Sequence, residues 1–112
     1  MKGEVIGEIA LVMSERDNVA TALSDIESGT RIASPKMVNS ADSISVTEDV
    51  PFGHKFALVE IIESENIYKY DEVIGIASTK IEPGEWVHVH NCESRRGRGD
   101  IATAKTNSEG KA

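Results

Sequence analysis

Residues 65–91 read ENIYKYDEVIGIASTKIEPGEWVHVHN, and this stretch carries the clearest secondary-structure pattern in the chain. Its segments ENIYKY, EVIGIAS and EWVHVHN predict β-strands, because β-branched and aromatic residues favour an extended backbone. The intervening YDE and KIEPGE predict turns. The sequence contains no amphipathic helical pattern of about ten residues or more. We therefore expect a small all-β barrel or sandwich-like fold of short strands, with at most one short helix.

The N-terminal half continues this pattern. Val5–Met13 predicts a strand in which Gly7 marks a bulge or bend. Residues 55–62, KFALVEII, form a nearly continuous apolar segment that suits a strand buried on both faces. The one helical signal is RDNVATAL, where Asp17 or Asn18 is placed to cap a short helical turn.

A turn motif recurs three times. An aliphatic residue is followed by two positions, Gly, two more positions and an apolar residue in DIESGTRI (Asp25–Ile32), DVPFGHKF (Asp49–Phe56) and KIEPGEWV (Lys80–Val87). This order predicts a strand end, a tight turn whose Gly takes a positive φ, and a strand start. The copies predict a pseudo-repeated turn, and their irregular spacing argues against a solenoid.

Composition limits the size, the partners and the compartment. The 112 residues suffice for one domain, which we assign to residues 1–94, and the polar, aperiodic residues 95–112 predict a mobile C-terminal tail. A net charge of −7 argues against nucleic acid or an anionic membrane as a partner. The single cysteine, Cys92, argues against a disulfide and a Cys-rich zinc site. Without a membrane-length apolar run or a signal-peptide pattern, we expect a cytoplasmic protein.

Two of the three histidines, His88 and His90, stand one residue apart. In a strand they would share one face, with Val87 and Val89 toward the core. A metal site usually needs a third ligand, and His54 is the only other histidine. The metal-binding residues therefore stay unassigned, and a catalytic or ligand-facing role without metal is favoured over metal binding by this chain alone. A solvated strand face remains the alternative.

The lysines and the Asp17-Asn18 pair also have two interpretations. Lys55 follows a Pro-x-Gly turn directly, and loops held by turns often contact substrates, so this lysine could bind a carboxylate or phosphate. Lys69 has the same interpretation. The alternative for both is a surface lysine. Asp17 and Asn18 could position a ligand, although capping is their default role.

The motifs RDNVATAL, DIESGT, VPFGHKFAL, IYKYDEVIGIAS and EPGEWVHVHN resemble, in this order, the small SAF-type domain of the altronate and galactarate dehydratases. The resemblance covers roughly residues 8 to 100, and the closing ESRRGRGD is most similar to the altronate dehydratase small subunit. It implies a β-clip fold and a large catalytic subunit as a separate polypeptide. One departure is Asp71, where the family often has Gly after the KY pair.

The resemblance also implies a reaction, in which a sugar acid such as altronate loses water to give 2-keto-3-deoxygluconate with the help of a divalent metal, iron in this family. The implied residues match family motif positions. Catalytic roles are implied for His54, His88 and His90. Substrate binding is implied for Asp17, Asn18, Lys55, Lys69 and Asn91.

Two other functions stay open. A close relative in the resemblance is the small subunit of sulfolactate sulfo-lyase, which would act on a different acid. The third hypothesis is a stand-alone SAF module that binds a sugar acid without catalysis.

Overall fold

The computed structural model describes residues 3–36 and 43–94. These residues contain strands and turns but no helix, so the predicted all-β class is confirmed. The predicted C-terminal tail, residues 95–112, lies outside the described residues. The ten strands are β1 (Glu4–Ile6), β2 (Ala10–Val12), β3 (Val19–Ala22), β4 (Arg31–Ala33), β5 (Ser43–Ser45), β6 (Lys55–Ala57), β7 (Asn66–Lys69), β8 (Glu72–Ala77), β9 (Trp86–Val87) and β10 (Cys92–Ser94).

The strands form three antiparallel sheets. One sheet has five strands in the order β1-β2-β3-β6-β9, another has three in the order β10-β8-β7, and β4 pairs with β5. In the larger sheet, Phe56 of β6 pairs with Trp86 of β9. This pairing places residues from two distant parts of the chain side by side. Among the described residues, no helix is long and apolar enough to cross a membrane.

Two hairpins have tight turns with both central residues in the left-handed region. Gly7 and Glu8, with φ of 57° and 64°, join β1 to β2, so Val5–Met13 is two strands and not one bent strand. Tyr70 and Asp71, with φ of 56° and 66°, join β7 to β8. Positive φ at both central residues gives type I′ turns, which match the twist of paired strands. Aspartate tolerates this region better than most residues, which accounts for Asp71 where the family often has Gly.

The three predicted glycine turns are confirmed, and the structure adds a fourth. Gly29, Gly53 and Gly84 have φ of 92°, 83° and 89°, and each turn closes with a backbone hydrogen bond between its first and fourth residues. The sequence motif recurs in IIESENI (Ile61–Ile67), where Ser64 replaces Gly at a φ of 78°. These are type II turns. The fourth copy was missed because the motif was defined by its glycine.

The four copies of the turn motif associate in pairs. Backbone bridges join Ile26 to Val50 and Ile61 to Ile81, the aliphatic residues at the start of each motif. The buried apolar side chains form two hydrophobic clusters. The aliphatic and apolar residues of the first two copies of the motif belong to one cluster, and those of the last two copies belong to the second. Each cluster is therefore organised around one pair of turns.

Two predicted elements are wrong. The helical turn in RDNVATAL is instead β3, because the Asp17 carboxylate accepts hydrogen bonds from the backbone N–H groups of Met13 and Ser14 on its N-terminal side. The long strand over residues 55–62 ends at Ala57. Its backbone bends at Leu58 and Val59, and Ile61 then forms an isolated bridge with Ile81 instead of continuing the strand.

Candidate functional site

The segment HVHN is a turn and not the end of a strand. β9 ends at Val87, and the backbone N–H of Asn91 donates to the carbonyl of His88 at 3.1 Å. Val87 is fully buried as predicted, but Val89 is 81% exposed, so the prediction that both valines face the core is wrong for Val89. The turn, and not a strand period of two, determines where His88 and His90 lie.

Asn91 holds this turn from inside. Its side-chain Oδ1 accepts the backbone N–H of His88 at 3.0 Å, and its Nδ2 donates to the carbonyl of Trp86 at 2.9 Å. The backbone carbonyl of Asn91 also accepts the N–H of Ser78. The residue is 3% exposed, so Asn91 does not face outward beside the histidines. Its side chain supports the backbone that carries His88.

All three histidines gather around the indole ring of Trp86. The ring of His88 stacks on the indole with centroids 5.2 Å apart and an interplanar angle of 8°. The rings of His54 and His90 lie at 5.6 Å and 5.4 Å in tilted orientations. The imidazoles of His54 and His88 approach to 4.8 Å. We call this group, Trp86 with His54, His88 and His90, the histidine cluster.

One hydrogen bond connects the indole to an imidazole. Trp86 Nε1 donates to His54 Nδ1 at 3.2 Å. The two residues belong to different parts of the chain, and the pairing of β6 with β9 brings them together, because His54 directly precedes β6. The bond gives the His54 ring a defined orientation within the cluster.

Beside the histidine cluster lies a cleft of about 600 Å³. Lys55 contributes an ammonium group to the cleft, and His88 contributes an imidazole. The cleft is lined by Lys55, Glu72, Val73, Ile74, His88, Val89, Cys92 and Ser94. The contributions of β8 and β10 could not be read from a motif, because they depend on how the three-stranded sheet lies against the HVHN turn.

Burial and nearby charges shift the pKa values of three residues that line the cleft, Lys55, His88 and Cys92. Burial lowers the pKa of Lys55, and the positive charge of Lys69 lowers it further, while Cys92 acts in the opposite direction. The pKa of His88 is also lowered, first by burial and then by the positive charges of His54, Lys55 and His90. Burial raises the pKa of the Cys92 thiol, although Lys55 opposes that rise. At neutral pH these shifts favour a protonated thiol and a neutral imidazole at His88.

The side chains of Asp17 and Asn18 form hydrogen bonds to the backbone of other segments. The second Asp17 carboxylate oxygen accepts the N–H of Asp71 at 2.9 Å. Asn18 accepts the N–H of Tyr68 at 2.8 Å and donates to the carbonyl of Asn66 at 3.0 Å. Asn18 lines a second, more open groove of about 390 Å³. The structure therefore groups His54, His88 and His90 with Lys55 but gives Asp17 and Asn18 bonds elsewhere.

Lys69 lies on β7 with its Nζ 5.0 Å from the ring centroid of Tyr70, a cation–π contact. The positive charge of Lys69 contributes to the lowered pKa of Lys55, which lines the cleft. Within residues 3–36 and 43–94, no three His, Cys, Asp or Glu side chains are arranged to hold a metal ion. His54 Nδ1 is already bonded to the indole. The described part of the chain thus does not fit a complete iron site.

The sequence pattern of one protein family matches residues 8–95, and its description is "Altronate/galactarate dehydratase SAF domain". Altronate dehydratase of Bacillus subtilis is 42% identical over 80 residues, which cover 71% of this chain and 15% of the relative. Altronate dehydratase of Escherichia coli is 44% identical over 77 residues, covering 67% of this chain and 14% of the relative. The chain therefore spans only a small part of these enzymes.

In a second group of relatives, the matched region covers a larger share of the relative. The (2R)-sulfolactate sulfo-lyase subunit alpha of Paracoccus pantotrophus is 38% identical over 58 residues, which cover 52% of this chain and 87% of the relative. The family match extends over most of the chain and agrees with the helix-free architecture of short strands. This chain belongs to the altronate/galactarate dehydratase SAF domain family.

Proposed function

We propose that this chain is the small subunit of a cytoplasmic sugar-acid dehydratase of the altronate type, and that it contributes to substrate binding beside a separate large catalytic subunit. The observation that carries the proposal is the cleft lined by Lys55 and His88 next to His54 and His90, on a chain with a net charge of −7. The ammonium group of Lys55 gives this cleft a local positive charge, which attracts an anionic substrate against the overall charge.

The chemistry of the side chains suits a polyhydroxy carboxylate. The Lys55 ammonium group can pair with the carboxylate, because a half-buried cation gains more from such a partner than an exposed one. The neutral imidazole of His88 can accept the proton from the carbon next to the carboxylate. The hydroxyl group on the following carbon then leaves as water by taking up the proton that His88 now carries, and the resulting enol converts to the keto acid.

The partner supplies what the described residues lack. We propose that the large subunit covers the open cleft and provides most of the ligands for the divalent metal, with iron as the metal that the resemblance implies. In support, the altronate dehydratases extend far beyond the region matched by this chain. Lys69 contributes through its charge. The side chains of Asp17 and Asn18 form hydrogen bonds to other loops, and the side chain of Asn91 forms them within its own turn. These bonds favour supporting roles for the three residues over direct substrate contact.

Co-expression with a large dehydratase subunit tests the proposal. We expect a complex that dehydrates altronate when loaded with iron, and a large KM increase in Lys55→Met. The matched control is Lys80→Met, because Lys80 is an exposed lysine whose partners are Glu60 and Glu82. A large subunit with the same activity in the presence and absence of this chain would contradict the proposal.

The second candidate is the sulfolactate sulfo-lyase small subunit. The observation in its favour is that the matched region covers 87% of the Paracoccus pantotrophus alpha subunit. Sulfolactate also carries a carboxylate, so the same cleft would serve. Assays of the assembled complex with altronate and with sulfolactate separate the two functions. Binding of a sugar acid without any large subunit would instead favour a stand-alone module.

A further inference from the structure

Within the histidine cluster, Trp86 contacts two of the histidines in different ways. Its indole ring stacks on His88, and its Nε1 donates a hydrogen bond to His54 Nδ1 at 3.2 Å. The backbone of Trp86 is held on both sides, because its N–H donates to the carboxylate of Glu48 and its carbonyl accepts from Asn91. The ring therefore extends from a well-anchored point of β9.

The direction of this hydrogen bond determines where the proton of His54 lies. An indole N–H group can only donate, so the nitrogen that faces it must offer a lone pair. A neutral imidazole carries one proton, and with Nδ1 acting as the acceptor that proton must be on Nε2. The alternative tautomer would place two N–H groups against each other.

We propose that Trp86 is a positioning residue that holds the neutral ring of His54 in the Nε2–H tautomer, so that His54 presents a hydrogen-bond donor to the substrate and not a base. His88, which stacks on the same indole ring, is left as the base. The functional half of this inference rests on the proposed function. The tautomer itself is a property of this chain alone.

A donor and a base beside each other suit the elimination of water. The base removes the proton next to the carboxylate, while the donor stabilises the hydroxyl group that leaves. The 4.8 Å between the rings of His54 and His88 is short enough for both to contact one small substrate. Trp86 thus assigns different roles to two chemically identical side chains.

Nuclear magnetic resonance of the isolated chain tests the tautomer directly. The chain has one tryptophan, so its indole N–H signal needs no assignment. At a pH near 8, where ordinary histidines are neutral, we expect a through-bond correlation from the indole N–H to His54 Nδ1, and a proton on His54 Nε2. The ionisable groups around the pair are Glu48, Lys55, His88 and His90.

Two variants serve as matched controls for this measurement. His88→Phe and His90→Phe each replace a ring that contacts the indole but leave the bond to His54, so the correlation should persist in both. His54→Phe should abolish it. A proton on His54 Nδ1 in the wild-type chain, or the absence of any correlation at this pH, would overturn the proposal whether or not the variants fold.

Activity of the assembled enzyme tests the division of roles. Glutamine retains an N–H donor but cannot act as a base, so His54→Gln should keep kcat within about tenfold of wild type, whereas His88→Gln should lose about 10²- to 10⁴-fold. Equal losses in both variants would overturn the assignment of His54 as a donor. A wild-type complex that dehydrates no sugar acid would overturn the proposed function, while the tautomer would still be decided by the spectra.

Discussion

Replacement of Gly84 by alanine should destabilise the fold far more than the same replacement at Gly29. Both glycines occupy the third position of a type II turn, with φ of 89° and 92°. An alanine at a positive φ costs about 1–2 kcal/mol at either site. The two sites differ in the space around the new methyl group, so the pair of variants separates backbone strain from packing.

The surroundings of the two glycines are very different. A Cβ atom at Gly84 would overlap the carbonyl oxygen of Ser45, and it would lie 2.9 Å from the carbonyl carbon and 3.3 Å from the Cα of Val46. These are backbone atoms that cannot rotate away. A Cβ at Gly29 would have no heavy atom within 4 Å. Overpacking of this kind costs about 1–3 kcal/mol, so Gly84→Ala should lose roughly 2–5 kcal/mol in total.

Urea denaturation followed by the fluorescence of Trp86 measures the difference. We expect Gly29→Ala to lose about 1–2 kcal/mol in the free energy of unfolding, with an unchanged dependence on urea concentration. Gly53→Ala provides a second control, because its Cβ also meets no atom within 4 Å at a φ of 83°. Equal losses in Gly84→Ala and Gly29→Ala would show that the turn tolerates a side chain and would refute the close approach to Ser45.

Three further outcomes are expected. Ser64→Gly should raise the free energy of unfolding in urea by about 0.5–1 kcal/mol, because glycine relieves a φ of 78° at some entropic cost; a loss would contradict the turn assignment. Asn91→Ala should lose about 1–3 kcal/mol and weaken sugar-acid binding in the complex, whereas Asn18→Ala, which also breaks two hydrogen bonds, should lose stability alone. In a proton titration by magnetic resonance, His88 should have a pKa below the ordinary value of about 6.5, and Lys55→Met should raise it. Burial, the larger cause, remains in that variant, so the pKa should rise only part of the way; an unchanged pKa would contradict the electrostatic coupling.

The lowered pKa of His88 also sets the sign of its effect on stability. The unfolded chain binds the proton more tightly than the folded chain, so protonation of His88 opposes folding. Its contribution to stability is therefore complete above the unfolded pKa of about 6.5 and declines as the pH falls through that value toward the folded pKa. The Lys55→Met variant should show a weaker decline over the same pH range.

The turns were predictable because their information is local. In DIESGTRI, DVPFGHKF and KIEPGEWV, the glycine position and the flanking apolar residues lie within eight consecutive positions, and all three turns are confirmed. The fourth turn was missed because Ser64 adopts the same backbone without glycine. The helical turn proposed after Asp17 was wrong because the partners of its carboxylate, Met13 and Ser14, precede it, and Asp71 lies far away in the sequence.

The sequence predicted which residues could belong to the site, but not how their side chains are arranged or which of them are buried. The alternation in HVHN predicts a strand, but the buried side chain of Asn91 bonds to the backbone of Trp86 and of His88 and closes a turn. Nothing in the sequence shows that Asn91 is buried, since burial depends on contacts with distant parts of the chain. Val89 is exposed because it lies within that turn.

By itself, the sequence determined the all-β class, the glycine turns and the family, because each depends on residues close together in the chain. The tertiary structure decided which residues meet. The pairing of Phe56 with Trp86 places His54 against the indole and next to His88, and no local pattern encodes that contact. Sheet register is a long-range property set by burial of one face of each strand. The site therefore depends on a pairing between distant strands, although each of its residues was visible in the sequence.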